Sequence, residues 1–348
     1  MRRIWGNRKR LARLGVNLLV SVCAILIFLT LAWLILGFIL PQSCENSSKY
    51  GWDKECGRRD LRYEARDLNG SSHSVRYITY DLGFRRFSAP DPSKIRVMII
   101  GDSFTEAEAV SNGEEYFAYL ERNPRIQLFV KGVSGWASLQ EFLLLNDTYE
   151  LIRPDIVILQ FSGNDIIDND YSLELESINN MMWRRPYLEN GSIVYRDPTP
   201  YRLPGFLLEN TRFKTLLYYY ELIFRPKRET IDGKIKAELE AYPEFSKGVN
   251  TTDRIIGMMR ERAKDSKFFA FDVENPDAPF RPIFERLMAK NGIVVILGVH
   301  EAVSNLSAEI CVYAEDNTHW NREGHRLAGE FISKYIEEYL GKSLEAKN

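Results

Sequence analysis

The sequence predicts an α/β protein: a three-layer α/β/α sandwich around a parallel sheet, preceded by one transmembrane helix. Two observations lead to this prediction. Short apolar runs rich in β-branched residues alternate with helical patterns, which is typical of strands joined by parallel βαβ crossovers. An uncharged apolar stretch over residues 14–40 is longer than the roughly 20 residues that span a bilayer. The predicted strands occupy residues 95–100, 127–131, 155–161, 268–272 and 293–299.

The N-terminal segment indicates how the chain is oriented in a membrane. Residues 1–13 contain six Arg and Lys residues and no acidic residue. The positive-inside rule keeps such a segment in the cytoplasm and places the chain after the helix on the other side. A cleaved signal peptide is the alternative, although its apolar core runs only about 7–15 residues. Cys44 and Cys56 are close enough in sequence to close a short disulfide loop in an oxidising compartment.

The chain after the membrane segment is long enough for one sizeable domain with an insertion. We expect an extracytoplasmic stalk and lead-in over residues 41–94, including an edge strand at 75–80. The main domain is predicted over residues 95–341, followed by a tail at 342–348. Residues 166–247 carry no clear catalytic motif and are interpreted as a cap. That cap either shapes a substrate pocket or simply packs its aromatic side chains against the sheet or the membrane surface.

The first chemical motif follows the first predicted strand of the sheet. The apolar run ends at Gly101, and Asp102 and Ser103 come next. A strand that ends in glycine and turns into a helix leaves Ser103 near the helix N-terminus, where unpaired backbone N–H groups stabilise negative charge. The alternative is that these residues serve only as turn and N-cap residues.

Three later segments supply what a reactive serine needs. The segment Gly132-Val133-Ser134-Gly135-Trp136 follows the second predicted strand, and Ser162-Gly163-Asn164-Asp165 follows the third. The segment Asp316-Asn317-Thr318-His319 precedes the predicted C-terminal helix, for which Asn321 is a candidate cap. Parallel strands direct such segments to one edge of the sheet, where ligands bind.

In this order, the four segments resemble the blocks of the SGNH hydrolases, also called the GDSL esterase and lipase family. The resemblance covers roughly residues 96–340 and implies a flavodoxin-like sheet. It implies that Ser103 is the nucleophile, that His319 is the general base and that Asp316 orients His319. It also implies an oxyanion hole formed by the backbone N–H groups of Ser103 and Gly135 and the side chain of Asn164. Gly132 is the alternative to Gly135 in the second block.

The choice of base can also be argued from chemistry. A serine hydroxyl is a weak nucleophile near neutral pH and needs an adjacent base, for which imidazole titrates in the useful range. The chain has four histidines. His319 lies three residues after Asp316, so one turn lets the carboxylate accept from Nδ1 and leaves Nε2 for the serine. His300 is the alternative base, because it also follows a predicted strand.

Other residues near the motifs are candidates for lining the pocket. Asp102, Trp136 and Trp320 adjoin the predicted nucleophile, oxyanion loop and base. No paired CxxC motifs or His/Cys cluster indicates a metal, and no cofactor is expected. The formal net charge of −2 gives no reason to expect nucleic-acid binding.

Together these features predict a membrane-anchored serine esterase that acts outside the cytoplasm, in a bacterial periplasm or at a cell surface. Export suggests envelope substrates, such as O-acyl groups on carbohydrate or lipid. An O-acyltransferase that uses the same three side chains is the close alternative, since the outcome depends on whether water or an acceptor reaches the acyl-enzyme. A non-catalytic binding module on the same fold is the second alternative.

Overall fold

The computed structural model describes residues 2–39, 49–53, 57–177, 180, 182–197, 199, 213, 216–217, 220, 231–274 and 278–345. It forms two compact units, residues 1–43 with 203–224 and residues 44–202 with 225–348. Cys44, Cys56 and the greater part of the run Lys214–Phe224 lie outside the described residues.

The described strands are β1 (Arg59–Arg66), β2 (Ser72–Thr79), β3 (Ile95–Gly101), β4 (Ile126–Gly132), β5 (Ile156–Phe161), β6 (Arg185–Glu189), β7 (Ser192–Arg196), β8 (Lys267–Asp272) and β9 (Val294–Val295). The described helices are α1 (Arg2–Ile39), α2 (Ser103–Glu106), α3 (Ser138–Ile152), α4 (Asn164–Asp168), α5 (Tyr171–Glu176), α6 (Ile231–Glu238), α7 (Pro243–Arg262), α8 (Arg281–Lys290), α9 (Val299–Ser304) and α10 (Arg322–Glu345).

The first unit contains α1, a helix of 38 residues. Its segment Gly15–Ile35 is long and apolar enough to cross a membrane, and none of that segment is buried. A signal sequence near an N-terminus has the same properties. The helix is therefore a candidate membrane span on length and composition alone.

The second unit is built on a five-stranded parallel sheet with the strand order β4-β3-β5-β8-β9. Numbered along the chain within this sheet, the order is 2-1-3-4-5, the flavodoxin-like order. The predicted α/β class and the predicted parallel sheet are confirmed. In this arrangement the carboxyl ends of β3, β4 and β5 lie at one edge of the sheet.

Two apolar clusters cover the two faces of the sheet. Along β3, Met98 and Ile100 belong to one cluster, whereas Val97 and Ile99 belong to the other, as strand alternation requires. The first cluster includes side chains of α3, α7 and α8. The second includes side chains of α9 and α10. The three-layer α/β/α arrangement therefore follows from strands that are apolar on both faces.

The last strand of the sheet is shorter than predicted. Only Val294 and Val295 pair with β8, whereas the apolar run predicts a strand over residues 293–299. Gly298 adopts a φ of +93°, in the left-handed region, and α9 begins at the next residue. A left-handed glycine interrupts the extended backbone, so the rest of the apolar run enters a helix.

The described part of residues 41–94, which is predicted as stalk and lead-in, belongs to the second compact unit. β1 and β2 form an antiparallel hairpin, which includes the predicted edge strand. Lys131, at the end of β4, forms a buried ion pair of 2.8 Å with Asp53. Arg85 forms a buried ion pair of 2.6 Å with Glu115. These contacts make residues 49–53 and 57–94 part of the second compact unit.

The described part of the predicted cap is ordered secondary structure around the main sheet. β6 and β7 form an antiparallel hairpin, and α7 packs against α3 and α4. At the other end of the domain, Asn321 caps α10 as predicted, since its Oδ1 accepts from the N–H groups of Glu323 and Gly324.

Candidate active site

The turn between β3 and α2 presents Ser103 at the carboxyl edge of the sheet. Asp102 is the N-cap of α2, and its Oδ1 accepts from the backbone N–H of Phe104 at 3.0 Å. A Cβ at Gly101 would collide with the side chains of Gln160 and Thr105, so this position accepts only glycine. Ser103 remains half-buried and reachable from the cleft.

A loop before α10 brings His319 and Asp316 to the serine. His319 Nε2 lies 2.6 Å from Ser103 Oγ, and His319 Nδ1 lies 2.5 Å from Asp316 Oδ2. The other carboxylate oxygen of Asp316 accepts from the backbone N–H groups of Thr318 and His319 at 2.9 Å. Asn317 takes the left-handed conformation that this tight turn requires. The sequence spacing thus produces the carboxylate–imidazole–hydroxyl chain that it predicts.

Electrostatics favour an ionised Asp316 and a basic imidazole. The hydrogen bond from His319 holds the pKa of the Asp316 carboxyl well below its usual range, against the opposing effect of burial. For His319, burial lowers the pKa, but the hydrogen bond and charge of Asp316 raise it more. The charges of Asp102 and Glu106 raise it further, so the net pKa of His319 is raised.

The second block forms the loop after β4 and separates its two glycines. Gly132 ends the strand opposite Gly101, where backbone atoms of Asp102, Thr105 and Glu106 leave no space for a Cβ. Gly135 lies in the loop with a φ of +77°, and a Cβ there would meet the Trp183 ring at 3.4 Å. Gly132 is thus required for close packing of the backbone, whereas Gly135 lies in the loop where the second block places its oxyanion candidate.

Glu106, which the sequence analysis missed, fastens this loop. Its buried carboxylate accepts from the backbone N–H of Ser134 at 2.7 Å and from the Ser134 hydroxyl. The contact ties the residue before Gly135 to the short helix that begins at Ser103. The only signal in the sequence that could have identified Glu106 is its position three residues after Ser103, next to the first motif.

Asn164 begins α4 at the carboxyl end of β5. It is half-buried, whereas residues 161–163 and 165–170 are buried. Its side-chain Nδ2 donates to Asp168 Oδ2 at 3.0 Å. Asp165 is buried and accepts from the backbone N–H of Ser162 at 3.1 Å, which closes the turn before the helix.

A group of carboxyl groups lies buried behind these motifs. Burial raises the pKa of Asp102 to about 6. Burial and, to a smaller extent, the charges of neighbouring carboxyl groups also raise the pKa values of Glu141, on α3, and Asp165, on α4, well above their usual range. Glu141 is not marked by any motif, since it falls within an otherwise unremarkable helical pattern.

Two of the three predicted pocket-lining residues do not line the cleft. Trp136 is fully buried in the core, where its Nε1 donates to the carbonyl oxygen of Trp52 at 2.7 Å. Asp102 is buried as the helix cap. Trp320 does line a cavity of about 200 Å³ that also contains Ser103, Ser134 and His319. Asp102 and Trp136 are adjacent in sequence to site residues, but their side chains point into the protein interior.

Neither His300 nor His325 has a hydrogen bond to Ser103, although His325 also lines the cavity beside it. His300, the alternative base, is buried at the start of α9, with Nδ1 3.0 Å from the carbonyl oxygen of Val273. His325 is buried on α10, accepts from the backbone N–H of Tyr116 and has a pKa that burial lowers to about 3. Within the described part of the chain, no group of three or more His, Cys, Asp and Glu side chains has the arrangement of a metal site.

A larger cavity, of about 1100 Å³, lies between α3 and α7. It is lined by Arg96, Asp155 and Arg254 among others and contains none of the predicted site residues. This cavity lies at the start of β3 and β5, whereas Ser103 and the other candidate site residues lie at the carboxyl ends of the strands.

The chain matches no protein-family model and no curated protein. Its structural neighbours are GDSL-type lipolytic hydrolases. It is similar to the psychrotrophic esterase EstA from Pseudoalteromonas sp., at 11% identity and a TM-score of 0.42, over 71% of this chain and 100% of EstA. A GDSL-like lipase from Bacteroides thetaiotaomicron matches at 15% identity and a TM-score of 0.39, over 73% of this chain and 93% of the lipase. The lipase/acylhydrolase from Enterococcus faecalis matches at 15% identity and a TM-score of 0.39, over 70% of this chain and 96% of that protein. Similarity at this level assigns no activity to the chain.

Proposed function

We propose that this protein is a serine hydrolase that cleaves oxygen esters through an acyl-enzyme, with Ser103, His319 and Asp316 as its catalytic triad. The observation that carries the proposal is the continuous contact from Asp316 to His319 to Ser103, at 2.5 and 2.6 Å. A serine next to an imidazole whose other nitrogen faces a carboxylate is the arrangement that activates a hydroxyl nucleophile.

The reaction follows from these contacts. Ser103 Oγ attacks the ester carbonyl carbon while its proton moves to His319 Nε2, and Asp316 stabilises the resulting imidazolium. The carbonyl oxygen becomes anionic and accepts hydrogen bonds from the backbone N–H groups of Ser103 and Gly135 and from the side chain of Asn164. Collapse of this intermediate releases the alcohol, which takes the proton from His319. Water then attacks the acyl-enzyme carbonyl while His319 accepts its proton. Ser103 takes that proton back as the acid is released.

The location of the reaction rests on α1. An apolar helix preceded by a cluster of Arg and Lys residues supports a single-pass anchor with a cytoplasmic N-terminus. The catalytic unit then acts outside the cytoplasm, which favours O-acyl groups of envelope carbohydrate or lipid as substrates.

The test is ester hydrolysis by the full chain in detergent, with p-nitrophenyl esters from acetyl to long acyl. We expect kcat to fall by at least about 10⁴-fold in Ser103→Ala and in His319→Ala. Ser74→Ala, which changes an exposed serine on β2, is the matched control and should retain activity.

Other outcomes would redirect the assignment. Fluorophosphonate labelling at Ser103 without net hydrolysis, but with acyl groups appearing on an added sugar, would identify an acyltransferase. A folded protein that neither labels nor turns over any ester would contradict the enzyme and favour a binding module.

A further inference from the structure

Two buried residues stand next to Asn164 and have no role in the reaction described above. Asp168, one turn after Asn164 on α4, accepts the side-chain N–H of Asn164 at 3.0 Å. Arg185, on β6 in the insertion, has its Nη1 3.6 Å from the same oxygen of Asp168. Only 4% of Asp168 and 3% of Arg185 is exposed, so both charges are withdrawn from water.

The contact between Asn164 and Asp168 fixes the direction of an amide. A carboxamide nitrogen carries two N–H groups in one plane. When one of them donates to Asp168, the rotamer of Asn164 and the direction of the second N–H are set. Asn164 is the single residue of the run 161–170 that is not buried, so this second N–H belongs to the one residue of the segment that solvent reaches.

The negative charge of Asp168 creates an electrostatic difficulty for a reaction at Ser103. The charge of Asp168 raises the pKa of Asp102, the residue before Ser103, so its field reaches the turn that carries the serine. An uncompensated negative charge on Asp168 would oppose the anionic oxygen of the tetrahedral intermediate, most strongly in a site with little water.

Arg185 supplies the compensating charge. It also lies 3.0 Å from Glu174, which in turn accepts the hydroxyl of Tyr187 at 2.5 Å. Burial raises the pKa of Glu174 to about 8. The Arg185 guanidinium therefore lies close to both carboxyl groups, and its positive charge offsets the negative charge of Asp168.

We propose that Asp168 and Arg185 are positioning residues of the oxyanion hole: Asp168 fixes the Asn164 amide, and Arg185 neutralises Asp168 so that the developing oxyanion is not repelled. The inference rests on the proposed hydrolase function and gives the insertion that contains Arg185 a part in catalysis.

The first test compares Asp168→Ala with Asp168→Asn in the full chain, using p-nitrophenyl acetate. The alanine variant loses the acceptor, and we expect kcat to fall by about 10-fold or more with KM changed by less than about twofold, since the contact matters for the transition state. The asparagine variant keeps an acceptor oxygen and should stay within about threefold of the wild type.

Asp170→Ala is the matched control, because Asp170 caps α5 and pairs with Lys247 without contacting Asn164. It should lower the melting temperature as much as Asp168→Ala does but keep kcat. Equal kcat losses in the two variants would mean that Asp168 has only a structural role and would overturn the inference.

The second test is a double-mutant cycle with Asn164→Ala, which itself should lower kcat by about 10²–10³-fold. If Asp168 acts through Asn164, the double variant should be no slower than Asn164→Ala alone. For Arg185→Met, the expected loss of kcat should be partly restored by adding Asp168→Asn, which removes the uncompensated charge. If Arg185→Met does not fold, the cycle between the Asp168 and Asn164 variants alone tests the positioning role of Asp168.

Failure of the inference and failure of the proposed function are distinguishable. Wild-type turnover that Ser103→Ala abolishes, together with unchanged kcat in Asp168→Ala, overturns only the positioning role. Absence of turnover in the wild type with every ester overturns the hydrolase and, with it, this inference.

Discussion

Glu106 affects both the loop and the base of the candidate site. Its carboxylate holds Ser134, next to Gly135, and its charge raises the pKa of His319. It lies three residues after Ser103 in the same short helix. One buried carboxylate thereby links the position of the proposed oxyanion donor, Gly135, to the basicity of the His319 imidazole.

Replacing Glu106 by Gln should move the pH dependence of the reaction. His319 must be neutral to accept the serine proton, so kcat/KM falls as the pH drops through the pKa of His319. Removing a charge that raises this pKa moves the acidic limb of the profile to lower pH. The measurement is kcat/KM between pH 4 and 9 for the variant and the wild type in the same buffers. Glu64→Gln, which removes an exposed charge on β1, is the control. An unchanged limb would show that the Glu106 charge is not felt at His319.

The loop after β4 illustrates how one element sets a reactive geometry through backbone conformation. Gly135 has a φ of +77° and lies against Trp183. Gly191, in the turn between β6 and β7, has a φ of +81° with no neighbour closer than 3.6 Å to an added Cβ. The two glycines therefore have similar backbone conformations in different surroundings.

Gly135→Ala and Gly191→Ala should both lower stability by about 1–2 kcal/mol, the cost of a left-handed conformation for alanine. Only Gly135→Ala should also lower kcat, because it displaces a proposed oxyanion donor. Melting temperatures and ester kinetics on both variants separate the two effects. Equal kcat in the two variants would exclude Gly135 from the oxyanion hole.

Helices α3 and α4 bring two carboxyl groups together inside the domain. Glu141 and Asp165 are fully buried, and burial together with the charges of neighbouring carboxyl groups raises both pKa values. A carboxyl whose folded-state pKa is raised favours folding most below its unfolded-state pKa, about 4.3 for Glu. That stability is lost as the pH rises through the interval up to the folded-state pKa.

Glu141→Gln should therefore become more stable relative to the wild type as the pH rises. At pH 4 the two proteins should differ little in charge, whereas at pH 8 the variant should melt at least about 2 °C higher. Thermal unfolding at both pH values, with Glu150→Gln as the exposed control on the same helix, gives the comparison. A difference that is independent of pH would assign the effect to packing and not to ionisation.

At the scale of the whole molecule, the sequence predicts best the features whose signal lies within one short segment of the chain. The short apolar runs predict β3, β4, β5 and β8, and the spacing of Asp316 and His319 predicts the chain of contacts from Asp316 through His319 to Ser103. Each of these signals lies within a short segment, and parallel connectivity then directs the segments to one edge of the sheet.

The features that escape prediction depend on partners far apart in the chain. The ion pair of Lys131 with Asp53 joins residues 78 positions apart, and no local pattern marks it. Trp136 is predicted to face the cleft because it follows Gly135, yet the backbone turn directs it into the core. Side-chain direction in loops depends on tertiary packing, which sequence adjacency does not encode.

The proposed membrane anchor gives a prediction for the intact chain. In bacterial membranes, the protein should resist extraction by alkaline carbonate, and protease added from outside should remove the catalytic unit but leave an N-terminal tag protected. Neutral replacements of the basic residues in 1–13 should weaken this orientation. A protected catalytic unit with an accessible N-terminal tag would contradict the proposed topology.

The hydrogen bond between His319 and Ser103 joins residues 216 positions apart. A ribosome completes the turn that holds the serine long before it makes the histidine, so a growing chain contains the nucleophile without its base. Ser103 gains its imidazole partner only after the ribosome has added His319 and the loop before α10 has folded. A chain that ends before His319 would contain Ser103 without its imidazole partner, and we expect such fragments to leave esters uncleaved.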